Sequence, residues 1–340
     1  SRRAVYALAA LLTTSVLVLE SAFLSDDFGF EVVANHSSTT TPTFYKLTAM
    51  WSSQEGSLLL WAWVLSLASS GVLYLTRRRH RELAPYATAV LMGLGAFFIG
   101  LMIFAAQPFA ALSPAPAEGA GLTPLLRNPY MAIHPPMLYT GYVLWSIPFA
   151  FCIAALYTRR LDASWIRSTR RFALTAWTFL GLGLLLGSRW SFEELGWGGY
   201  WGWDPVENAA LMPFLVGTDF IHSIMVQEKR GMLKVWNVSL IAATFCLSLL
   251  GTFLVRSGIL ESIHAFGAST VGGPLLVLIA IVAIGSTILI ASRREELRPE
   301  RRISAPLSRE GVFLINNLLL VGLAAVIFWG TFFPLIAEFF

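Results

Sequence analysis

An all-α bundle that crosses a membrane about nine times is what this 340-residue sequence predicts, and three observations carry the prediction. Hydrophobic residues make up 56% of the chain and charged ones 13%; mean hydropathy is +0.66; and apolar runs of spanning length recur from end to end. An ordinary soluble domain carries about 25% charged residues. The shortfall excludes a soluble two-domain enzyme, a disordered chain and a nucleic-acid-binding module. The net charge of +4 does not by itself call for a polyanionic partner, because basic loops set the orientation of membrane proteins. Cys152 and Cys246 both sit in apolar runs, which excludes a disulfide framework and a CxxC redox or zinc motif.

A helix crossing roughly 30 Å of hydrocarbon needs about 20 mostly apolar residues. Nine runs qualify: 4–24, 56–76, 86–106, 137–157, 172–188, 209–226, 235–254, 273–291 and 312–332. The first follows Arg2 and Arg3, yet it is long and has no A-x-A-like site before Ser25, so it reads as a span and not as a signal peptide. Basic residues supply an independent check. All but four of the 24 Lys and Arg fall in alternate connections, from Arg2 and Arg3 through the Arg77–Arg81, Arg159–Arg171 and Lys229–Lys234 groups to the run between Arg293 and Arg309. The positive-inside rule puts those connections and the N-terminus in the cytoplasm. The outward segments are then 25–55, 107–136, 189–208 and 255–272, holding Lys46, Arg127, Arg189 and Arg256. They are also the long ones, so function is expected on the outer face of a single integral membrane domain, 1–340.

The segment 189–208 is the most distinctive. Trp190, Trp197, Trp201 and Trp203 lie within 14 residues of a protein with 12 tryptophans, among Gly198, Gly199, Tyr200 and Gly202. An aromatic belt at headgroup level is one reading. The other is a platform for a large planar cofactor, since glycines let backbone lie close beneath a flat ligand. Asp204-Pro205-Val206-Glu207, followed by Asn208, reads as a helix start with Asp at N-cap, Pro at N1 and Glu at N3.

Five histidines remain to be placed. His80 lies in the basic inner run and reads as solvated, and His36 in a polar outer loop reads as structural or idle. His134 precedes Pro135 and Pro136, which are expected to start the fourth span, and His264 lies in the outward segment after the seventh. The two share a side of the membrane with the tryptophans, and imidazoles so placed can ligate a metal from opposite faces. With no cysteine ligand and no HExxH a zinc hydrolase is poorly supported; a haem iron with axial histidines near indole rings accounts for both features. His222 lies inside the sixth span, roughly 20 Å from its outer end at 1.5 Å per residue. An ionisable group at that depth is a functional candidate. Asp219 falls on the same face and is expected either to orient the imidazole or to form a structural hydrogen bond with it. Arg127, Arg189 and Arg256 are candidates for bidentate pairing with haem propionates, or for anchoring to lipid headgroups.

WGGYWGWDPVENAALMPFLVG (197–217) resembles the tryptophan-rich signature of haem-handling membrane proteins of cytochrome c biogenesis. EGSLLLW (55–61), IHPPMLYTGY (133–142), EKRG (228–231), LLGTFLVRSGILESIHAF (249–266) and GTFFP (330–334) narrow the resemblance to the CcmF/NrfE haem lyases of the system I pathway. The resemblance implies a multi-pass protein of the bacterial inner membrane acting on its periplasmic side. His134 and His264 match the family's axial ligands of the haem to be attached, and His222 matches its ligand of a second, resident haem b. The family joins haem vinyl groups to the cysteines of a CxxCH apocytochrome c. It takes haem from the chaperone CcmE, receives apoprotein from CcmH-type partners, and is proposed to keep the substrate haem reduced through the resident one. Gln54 stands where the family often has His and is assigned nothing. Family members continue with further spans, which implies that this chain is an N-terminal portion, with the resident haem's second ligand beyond residue 340, and that a span precedes Ser1. Two other classes are weighed against the lyase. A transmembrane haem transporter would need ligands on both sides, and the inner loops offer only His80. A quinone-coupled b-type electron carrier would need paired histidines within spans, where only His222 lies.

Overall fold

The computed structural model describes residues 2–76, 82–162, 164–262, 270–299, 308–338 and 340. In chain order its helices are α1 (Arg2–Leu24), α2 (Glu31–His36), α3 (Thr43–Ala49), α4 (Gln54–Thr76), α5 (Ala84–Phe104), α6 (Pro129–Thr158), α7 (Ser164–Glu194), α8 (Pro205–Arg230), α9 (Lys234–Ser257), α10 (Gly272–Ser292) and α11 (Arg309–Ala337). Nine of them, all but α2 and α3, are long and apolar enough to cross a membrane. Among the described residues the only β-type pairing is an isolated bridge between Phe30 and Ala111. Each apolar run of the sequence has become one helix, and the polytopic all-α reading stands.

The helix starts differ from expectation where proline misleads. α6 begins at Pro129, not at Pro135, because Asn128 caps it: its Oδ1 accepts from Tyr130 N at 2.8 Å and Pro129 occupies N1. Pro135 and Pro136 are thus interior, and His134 stands more than a turn inside the helix instead of projecting from its end. α7 runs to Glu194, so the first residues of the tryptophan segment are helical.

α6 is the most enclosed span, packed by α4, α5, α7 and α9, whereas α7, α10 and α11 keep most of their surface open. Lipid offers no hydrophobic drive for helices to associate, so close backbone approach carries the packing. α6 and α7 meet in this way: a Cβ on Gly183 would sit 2.7 Å from Leu138 side-chain carbons. At one end of the bundle, α2 and its flanking residues interlock with segment 107–128 through backbone bonds from Leu112 N to Gly29 O (2.8 Å), Ala120 N to Ala34 O (2.7 Å) and Gly121 N to Ser37 O (3.0 Å). Lys46, buried in α3, holds Asp26 at 2.5 Å and staples this layer to the end of α1.

Candidate functional site

His134 sits in the seam between α6 and α7. Its Nδ1 lies 2.7 Å from the Gly183 carbonyl, and the ring is 8% exposed. A backbone acceptor on Nδ1 favours the tautomer with the proton on Nδ1, the arrangement in which a metal-binding histidine usually offers Nε2. Gly187, one turn beyond Gly183, lies against the same Cε1–Nδ1 edge of the ring, where a Cβ would come within 2.5 Å of Cε1 and 2.7 Å of Nδ1. Only glycine admits the imidazole there. This Gly183/Gly187 pair is a G-x-x-x-G spacing that was legible in the sequence and was not used.

Two voids meet at His134. The larger, about 90 Å³, is bounded by Trp51, Leu126, Tyr139, Tyr142 and Arg256. The smaller, about 30 Å³, is bounded by Leu184, Gly187, Trp201 and Glu207. Arg256, one residue from the C-terminal end of α9, is 8% exposed, and its Nη2 donates to the Tyr139 hydroxyl at 2.8 Å. Tyr139 is a site residue that the sequence reading missed, although it stands inside the IHPPMLYTGY segment.

The tryptophan segment divides. Trp201 alone among its indoles lines a void with His134. Trp190 corrects the platform expectation: it is fully buried, with Nε1 donating to Leu125 O at 3.0 Å, and so pins the preceding outer segment to α7. Trp197 folds over Gly202, where a Cβ would meet its ring at 2.2 Å, so that glycine accommodates the chain's own indole and not a ligand. Tyr200 stacks on Phe192 at 4.6 Å, and Trp203, 62% exposed with φ +57°, meets Trp201 edge-on at 6.3 Å. Gly198 (φ +70°) and Gly199 have open space around them.

Asp204 caps α8 as expected, accepting from Val206 N at 2.9 Å with Pro205 at N1. Glu207 departs from the capping box: its Oε2 accepts from Gly202 N at 2.9 Å, two residues earlier than the cap, and so closes the tryptophan loop on itself. Asn208 donates to Trp203 O and to Thr331 Oγ1, tying that loop to α11. Ser262, two residues before His264, donates to Asp204 Oδ2 at 2.8 Å. His264 and His80 lie outside the described residues.

The three arginines separate as well. Arg189 pairs with Glu193 at 2.8 Å and lies over the Tyr130 and Phe192 rings. Arg127 Nε donates to Leu122 O at 3.1 Å. Only Arg256 lines the void at His134.

His222 is half-buried on α8, seventeen residues from the helix start and so roughly 25 Å down it, deeper than the sequence boundary suggested. Its Nδ1 meets the Asn316 amide of α11 at 3.4 Å, and Phe313 flanks the ring at 6.2 Å. Asp219 does not pair with it. That carboxylate is fully buried with Oδ2 lacking a hydrogen-bond partner, which corrects the expected Asp219–His222 bond: one helical turn sets the two side chains facing different neighbours.

A family model described as cytochrome C assembly protein matches residues 51–261, the stretch that contains α4–α9 and the tryptophan segment. The chain belongs to that family. Its relatives include CycK of Rhizobium meliloti (44% identical over 96% of this chain and 48% of the relative), CcmF of Escherichia coli K12 (42%, 95% and 50%) and NrfE of Haemophilus influenzae (39%, 96% and 52%). A solved structure of the cytochrome c haem lyase CcmF superposes with a TM-score of 0.81 at 35% identity, over 99% of this chain and 51% of that one. The chain spans about half the length of the curated relatives it matches. With nine helices among the described residues long and apolar enough to cross a membrane, this member of the cytochrome C assembly family is a multi-pass membrane protein.

Proposed function

We propose that the chain is the haem-holding part of a cytochrome c haem lyase, working at the outer face of a bacterial inner membrane. The observation that carries the reading is His134, its Nδ1 held by Gly183 and its ring set between two voids beside Trp201 and Arg256. His264 is proposed as the opposite axial ligand, and the anchoring of Ser262 at Asp204 supports bringing that strand of chain to the tryptophan loop. Binding pockets for drug-sized ligands run to about 300–1,000 Å³, so haem entry requires the Trp51 and Leu126 side of the larger void to part. With haem so held, each CxxCH thiol of an apocytochrome c adds across a vinyl group. The S–H and C=C π bonds break, C–S and C–H bonds form, and no net redox change occurs. The protein's contribution is positioning. A CcmE-type chaperone and a CcmH-type presenter are the proposed donors of haem and apoprotein.

His222 would hold the iron of a resident haem b: it is an imidazole at membrane depth, on the α8 face that meets α11, near an aromatic ring. Bound there, haem would supply one-electron chemistry, and the two other described histidines, His36 and His134, lie toward the bundle's outer end. The lyase reading is tested by His134→Ala in cells that mature a reporter cytochrome c. Holocytochrome, scored by covalent haem staining, should vanish while the protein still inserts; undiminished maturation would overturn the reading.

A further inference from the structure

A buried guanidinium is costly unless an anion or a full set of acceptors meets it. Arg256 is nine-tenths buried, makes no ion pair within 4.0 Å, and has the neutral Tyr139 hydroxyl as its hydrogen-bond partner among the described residues. It lines the same void as His134, together with the hydroxyl-bearing Thr48, Ser52 and Thr252. Arg256 is the penultimate residue of α9 and reaches Tyr139, which follows His134 by five residues on α6. The void therefore joins an imidazole, apolar walls and a buried guanidinium that has no ion pair among the described residues.

We infer that Arg256 and Tyr139 form a carboxylate clamp that takes a propionate of the substrate haem and fixes the macrocycle's orientation in its own plane. The inference rests on the lyase reading and deepens it. In protoporphyrin the two propionates occupy one edge and the vinyls lie away from it. A propionate held at Arg256 turns the vinyl-bearing part away from it, leaving that part for the thiols of an apocytochrome. Arg127 and Arg189, already occupied by Leu122 O and Glu193, are not needed for this. A guanidinium suits the role because it forms two parallel bonds to a carboxylate, and the tyrosine hydroxyl holds the side chain in place in the meantime.

The test titrates the detergent-solubilised protein with ferric haem and, separately, with haem dimethyl ester, following the Soret band. The wild type should bind the free acid about thirtyfold more tightly than the ester, the worth of one charge-assisted pair. Arg256→Gln should erase that preference by weakening the acid alone, Arg256→Lys should restore part of it, and Tyr139→Phe should reduce it severalfold. All should keep the histidine-ligated spectrum that His134→Ala loses. Equal binding of acid and ester by the wild type would overturn the clamp without touching the lyase reading, and that comparison needs no variant to fold. A preference for the acid that is abolished by adding anionic phospholipid to the micelles would assign the charge to a lipid headgroup and also overturn it. Failure of the wild type to bind haem through His134 would overturn both readings.

Discussion

His134 and His222 are both imidazoles on membrane helices, and the chain treats them differently. His134 is wedged: a carbonyl 2.7 Å from Nδ1, a glycine backbone against the Cε1–Nδ1 edge of the ring, and two voids that it lines. His222 meets a single amide at 3.4 Å and one phenylalanine edge, on a helix face that looks toward the sparsely covered α11. The first is built to hold one ring orientation before any ligand arrives. The second has a ring that its surroundings leave to be completed by what binds it. A preorganised ligand suits a transient substrate that must be captured at short notice, whereas a resident group supplies part of its own ordering once bound.

The sharpest way to break this contrast is at Gly187. Gly187→Leu should displace the His134 ring and abolish His134-dependent haem binding in a Soret titration, while leaving insertion intact; retained binding would mean that the ring is not wedged. His222→Ala should do the opposite, removing any b-type absorbance of the protein as isolated and leaving the affinity for added haem within twofold of wild type. A loss at both sites would show that the two are coupled and the contrast mistaken.

A smaller effect concerns the layer over the outer void. Lys46→Met leaves Asp26 partly buried without its cation, which should cost about 3 kcal/mol of stability, the lower end of the range for breaking buried pairs because Asp26 remains partly exposed. Thermal unfolding of the single variant and of Lys46→Met/Asp26→Asn should differ, the double being closer to wild type. The smallest effect is at His36 in the same layer. Burial, with a contribution from the Arg256 charge, holds its imidazole below the ordinary value near 6.5, against the opposing pull of the Val32 carbonyl and Glu55. The unfolded chain then takes up a proton that the folded chain refuses, so stability is full above about pH 6.5 and falls as pH drops toward the folded value. The loss in melting temperature between pH 7.5 and 5.5 should shrink in His36→Gln; an equal loss would place the sensitive group elsewhere.

The spans were legible because hydrocarbon thickness imposes a length and the inner charges impose an alternation, and neither depends on tertiary detail. The start of α6 was not, since Pro135 and Pro136 resemble a helix opening and the weaker signal, Asn128 before Pro129, carries the true cap. In the site, His134 could be picked out by residue type and Asp204 by its turn. Trp190 and Trp203 could not be told apart: one is inside and one outside because α7 continues to Glu194, and a run of aromatics and glycines does not announce where its helix ends. Asp219 was paired with His222 on helical spacing alone, and three residues on a helix put side chains near one another without making them face.

The wedge between α6 and α7 also has a mechanical side. Because one helix carries the imidazole and the other carries the carbonyl that steadies it, the grip on a bound iron is tied to how these two rods register against each other. A slip of a single residue's rise, about 1.5 Å, would part the Gly183 contact and free the ring to swing, so on the lyase reading a small axial shift of α7 would loosen the hold on the haem.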